Sequence, residues 1–92
     1  MAVATQSIAE FLGLSEAELM QKALHSLLLE QKRAVLHARI EILARYNAGD
    51  VNELEEKIAK GVVVEHPAWE DLITAENLDT RLAEIDVYLL TL

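Results

Sequence analysis

The sequence predicts an all-α protein, and three observations carry that reading. Residues 15–47 contain neither Gly nor Pro and are rich in Leu, Ala, Glu, Lys, Arg and Gln, the strong helix formers. The chain's three glycines, Gly13, Gly49 and Gly61, stand between apolar-periodic segments and not inside them. The one β-branched run, Val62, Val63 and Val64, is too short for a strand of a folded sheet and has no second run to pair with. The expected architecture is a single domain over residues 1–92, assembled as a helical-bundle dimer. It comprises a short helix over 7–14, a long central helix over 15–47, a short helix over 50–61, a connector over 62–66 and a long C-terminal helix over 67–92.

Residues 1–5 are expected to be loose. In the first helix, Ile8, Phe11 and Leu12 together with Leu14 suit a helical hairpin that buries them against the next element. Ala9, Gly13 and Leu19 also have the spacing of a helix-turn-helix, which makes a DNA-binding regulator using residues 7–23 an alternative. The reading helix would offer Glu16 and Glu18 to the groove and only Gln21 and Lys22 in return, where a DNA reader needs cations. Nucleic acid is therefore the disfavoured partner.

The long helix opens on a capping box, Ser15 with Glu18, and stops at Asn47 and Gly49. At 1.5 Å per residue it would be roughly 45 Å long, so something must lie along it. Leu24, Leu28, Leu29, Val35, Leu36, Ile42, Leu43 and Tyr46 share one broad arc, wider than a single partner helix needs. Two neighbours are expected to cover it, one of them a second copy meeting Leu28, Val35 and Ile42. Lys32 and Arg39, seven apart inside this arc, need carboxylates, with Asp79 and Asp86 the candidates.

Asp50 with Glu53 forms a second capping box, and Val51, Leu54 and Ile58 share the apolar face of the helix it starts. Lys57 and Lys60 lie near its C-terminus, where the helix dipole favours cations, and Gly61 ends it. His66-Pro67 turns the chain into the last helix, with Pro67 at or near its first position. There Leu78, Leu82, Ile85, Leu89 and Leu92 make a narrow seam, with Asp71 in the stripe position upstream. Trp69, Leu72 and Ile73 point to another side, so this helix either kinks near Asn77 or serves two partners.

Composition bounds the function. With no cysteine there is neither a disulfide nor a thiolate metal site, and a reducing cytoplasm is the expected compartment. No apolar run approaches the roughly 18 residues of a membrane span, and no basic region precedes an apolar one at the N-terminus. His25, His37 and His66 do not fall in the Glu-x-x-His spacing of di-metal bundles, and no nucleophile elbow or Gly-rich phosphate loop occurs. No metal, no cofactor and no enzymatic activity are expected. Residues 1–49 hold five acids and five bases, whereas residues 50–92 hold eleven acids against Lys57, Lys60 and Arg81, so the net charge of −8 lies in the second half. An acidic half attracts basic surfaces.

The segment from Val62 and Val64 through Glu65, Trp69, Glu70, Asp71 and Ile73 is the candidate partner-binding site. It joins an extended β-branched run to the only tryptophan, set among carboxylates, which is the composition of an interface anchor within a charged rim. An ordinary core tryptophan is the competing reading.

The order of signals is a Gly-Leu-Ser-Glu-x-Glu-Leu helix start at 13–19, a long helix ending Arg45-Tyr46-Asn47, and an Asn-Glu-Leu-Glu-Glu helix from Asn52. A Glu-His-Pro-Ala-Trp-Glu-Asp segment from Glu65 and a Leu-rich acidic helix complete it. This pattern, over nearly all of residues 7–92, resembles small all-helical prokaryotic antitoxins of toxin–antitoxin pairs. Antitoxins of that broad kind commonly carry an N-terminal DNA-binding ribbon, whereas residues 1–6 are too short for one and hold no cation. The resemblance implies a module whose acidic residues 62–92 cover a basic, RNA-directed toxin. A purely structural homodimer is a third possibility.

Overall fold

Among residues 2–92, which the computed structural model describes, the chain forms four helices and no strand: α1 (Ala2–Leu12), α2 (Glu16–Ala44), α3 (Val51–Ala59) and α4 (Glu65–Thr91). The Ser15 hydroxyl accepts the Glu18 N–H at 3.1 Å, and the Glu18 carboxylate accepts the Ser15 N–H at 3.4 Å, completing the capping box that starts α2. Before α3, Asp50 accepts the Glu53 N–H at 2.8 Å, but the Glu53 carboxylate takes the Gly49 N–H at 2.7 Å and not that of Asp50. Gly49 thus serves the start of α3 and not the end of α2.

One motif ends the first three helices. The N–H groups of Leu14, Ala48 and Val62 reach back to the carbonyls of Ala9, Leu43 and Lys57 at 2.9, 3.0 and 2.9 Å. The residue before each is left-handed: Gly13 at φ 71°, Asn47 at 52° and Gly61 at 69°. This closes the carbonyls a helix end leaves open, in a conformation that Gly and Asn enter most readily.

Two boundaries differ from expectation. Residues 2–5 are helical, because no breaker separates their alanines from Ser7; Met1 lies outside the described residues. The connector ends early: Glu65 is already helical, His66 breaks the path at φ −108° and ψ 130°, and a cis peptide leads to Pro67. Beyond it the helix runs on to Thr91 with no departure near Asn77. It serves two partners without kinking. Ala68, Leu72 and Ala75 are buried in its first half, where Leu72 and Ala75 join Ile42 and Leu43 of α2 and Leu54 of α3; Ile85 is buried further along.

The α2–α4 pair is antiparallel, and polar rungs record its register. Lys32 Nζ meets Asp86 at 2.7 Å, Arg39 Nε donates to Asp79 at 2.5 Å, and the Tyr46 hydroxyl donates to Asp71. The α2 partners are seven residues apart and the α4 partners seven and eight, so each rung is two turns from the next. Both expected acids are the ones found, within the same chain.

The molecule is a rod of 60 × 20 × 18 Å. Its radius of gyration, 19.3 Å, exceeds the roughly 12 Å of a compact chain this long. The core gathers at one end, around Ile42, Leu43, Leu54, Leu72 and Ala75, with Val51, Ile58 and Tyr46 packed against it. There Leu54 of α3 joins the cluster formed by α2 and α4, and the nine residues of α3 reach no further along the rod. Leu24 and Leu29, expected under cover, are exposed.

The seam residues also fall differently. Val35 and Ile42, at 7% and 8% exposure, are buried within the single chain, since the α2–α4 ladder closes that stripe, while Leu28 stays half-buried. The N-terminal hairpin buries none of the four residues expected there: Ile8, Phe11 and Leu12 face outward and Leu14 is half-buried, while Ala9 is buried instead.

Lys32 and Arg39 keep partial exposure, so their pairs set register more than they add stability. The Lys32→Met/Arg39→Met double variant should melt at or slightly above the wild-type temperature by circular dichroism. A drop of roughly 10 °C or more, equivalent to about 2 kcal/mol in a domain this small, would show that the cations hold the fold.

Candidate partner-binding surface

Where α3 stops, the chain leaves through Gly61 and Val62 with no helix to cover its side chains. Val62 and Val64 are exposed and Val63 is half-buried. Pro67 restarts the helix, and helical periodicity sorts the side chains beyond it. Ala68, Leu72 and Ala75 turn inward and are buried, while Trp69 and Ile73, four apart, share the outer side. Trp69 is 46% exposed, so it is no core tryptophan. Glu65 and Glu70 are exposed beside it, and the Glu70 carboxylate lies 2.8 Å from His66 Nδ1. A hydrogen bond from its own backbone, then His66, holds the Glu70 carboxyl below its usual range.

Of the seven nominated residues, Val62, Val64, Glu65, Trp69, Glu70 and Ile73 thus lie at the surface. Asp71 does not. Its side chain is 19% exposed and turns to the Tyr46 hydroxyl and, at 3.5 Å, to Arg45. It fastens the start of α4 to the end of α2 and leaves the outer face to the other six.

Two contributors escaped the sequence reading. Lys57 does not serve its own helix end; Nζ donates to the Tyr46 and Asn47 carbonyls at 2.9 and 2.8 Å, placing a cation on the negative end of α2. Tyr46 looked like one more apolar residue of the arc, yet it is the donor to Asp71. The signal was present in the spacing, since Tyr46 stands seven residues after Arg39 and Asp71 sits in the seam position. Partial burial, then the bond to Asp71 and its negative charge, push the Tyr46 phenol up to about 12.

Residues 62–73 thus expose Val62, Val64, Trp69 and Ile73 together with the carboxylates of Glu65 and Glu70, on the half of the chain that carries the net charge of −8. His37 pairs with Glu41 at 3.1 Å on an exposed face, as expected of a surface pair. No group of three or more His, Asp or Glu side chains among the described residues is arranged to hold a metal ion. No helix among them is long and apolar enough to cross a membrane.

Because the Tyr46 pKa is raised on folding, the folded state favours the neutral phenol. That contribution is complete below the unfolded value near 10, and is lost as pH climbs through about 12. Urea midpoints should therefore fall less steeply between these limits for Tyr46→Phe than for the wild type. Parallel slopes would show that the Tyr46–Asp71 contact contributes nothing at alkaline pH.

The sequence model of one family, described as the Uncharacterized protein MJ0235 family, matches residues 1–92. No curated protein and no solved structure matches the chain.

Proposed function

The chain belongs to that family, and we propose that it is a non-enzymatic protein-binding module whose acidic residues 62–92 cover a basic protein. The observation that carries the reading is Trp69, left half-exposed at the start of α4, with Val62, Val64 and Ile73 exposed nearby in the chain. A large aromatic is costly to leave in water, and a partner that removes it from solvent gains both area and a specific anchor. Glu65 and Glu70 set the sign of that partner. Basic side chains would meet them at the rim, and the surplus of acids over the whole second half would steer the encounter. The resemblance to antitoxins narrows the partner class to a basic, RNA-directed toxin.

The test starts from a small basic protein encoded beside this one, co-expressed and co-purified with it. Trp69→Ala should weaken that complex by about 2 kcal/mol, roughly 30-fold, mainly through faster dissociation. Replacing Glu65 and Glu70 by Lys should slow association, with an effect that shrinks as salt rises. Asp71 is left intact in this test because it holds α4 in place. An unchanged affinity for Trp69→Ala, or Trp69 emission that already reports a fully buried indole in the free protein, would refute the docking face.

A further inference from the structure

At the end of the rod away from the core, α2 and α4 enclose an open hollow of about 280 Å³ lined by Leu24, Leu27, Leu28, Tyr88, Thr91 and Leu92. Leu24, Leu27, Tyr88 and Leu92 are exposed there. Nothing among the described residues plays the part that α3 plays at the other end. The same chain carries a matching knob. Ile8, Phe11 and Leu12 stand at i, i+3 and i+4 on α1 and face outward, Phe11 at 88% exposure, while α1 rests on its own chain through Ala9. That spacing is how an amphipathic helix presents anchors to an apolar groove.

We propose that two copies associate by reciprocal exchange, the Ile8–Phe11–Leu12 face of each α1 seating in the Leu24–Leu27–Tyr88–Leu92 hollow of the other. Two observations favour a second copy over a foreign occupant. Knob and hollow lie on one chain, as a two-fold interface made of the same patch on both subunits requires. The seven exposed side chains include two aromatics of roughly 150–250 Å² each, which brings the patch toward the roughly 800 Å² per partner of a stable interface. This seam retains Leu28 from the expected dimer interface and replaces Val35 and Ile42, which α4 covers.

The chain contains no cysteine, which makes a cross-linking test direct. Full-length Phe11→Cys is mixed with a size-tagged Leu27→Cys, and the mixture is mildly oxidised. Phe11→Cys should join Leu27→Cys into a mixed pair, while Glu55→Cys, placed on α3, should not. By light scattering the wild type should have twice the chain mass. Phe11→Asp should weaken the pair at least about 30-fold with helical content and Trp69 emission unchanged, because Phe11 contributes little to its own chain's packing. A wild type of single-chain mass would overturn the proposal and leave the hollow to another occupant. So would a dimer that persists in Phe11→Asp, or cross-links that form equally well with Glu55→Cys. The results that would overturn it, mass and cross-linking, do not involve the Trp69 face, so the two proposals stand or fall separately.

Discussion

The register between α2 and α4 governs the rest of the molecule. Apolar stripes alone permit helices to slide by a turn, because Leu, Ile and Val substitute for one another at similar depth. Lys32–Asp86, Arg39–Asp79 and Tyr46–Asp71 remove that freedom. A shift of one turn would leave two cations and a hydroxyl facing apolar groups, and unpaired polar groups in such a stripe cost more than the pairs contribute. With the ladder in place, Val35, Ile42 and Ile85 are buried and Leu72 and Ala75 reach α3.

A second constraint acts where α2, α3 and α4 converge. The end of α2 is turned by left-handed Asn47, tied by Lys57 from α3 and fastened by Asp71 from α4, so three elements meet on four consecutive residues, 45–48. Leu54, fully buried, sits in the cluster beside them. The Tyr46 and Asn47 carbonyls accept from Lys57 Nζ, and the Leu43 carbonyl accepts the N–H groups of Tyr46 and Ala48, so the open carbonyls of this helix end are satisfied. This end of the rod is consequently the well-packed one, and the outer face of residues 62–73 is displayed from a firm base.

The opposite end is built on α2 and α4, with Ala9 the buried residue of α1 among the side chains described. A chain of this size closes a core only where three elements converge, and here they converge once. The unclosed end leaves Phe11, Leu24, Leu27, Tyr88 and Leu92 in water, and it differs from the Trp69 face in offering an apolar hollow as well as a protruding aromatic. The two surfaces therefore suit different occupants.

The sequence by itself determined the all-helical class, the Ser15 and Asp50 starts and the left-handed stops at Gly13, Asn47 and Gly61. These depend on contacts within four or five residues, which the chain order displays. It also carried the pairing of Lys32 and Arg39 with Asp79 and Asp86, since two cations in an apolar stripe have few remedies. Only tertiary structure decided that Val35 and Ile42 close within the chain, that Asp71 faces inward and Trp69 outward, and that Phe11 is left uncovered. Helical periodicity tells which residues share a face; it does not tell which neighbour that face meets or how far a short helix such as α3 extends its cover. Those outcomes depend on the register of α2 against α4, fixed by side chains some 25 to 54 residues apart in sequence.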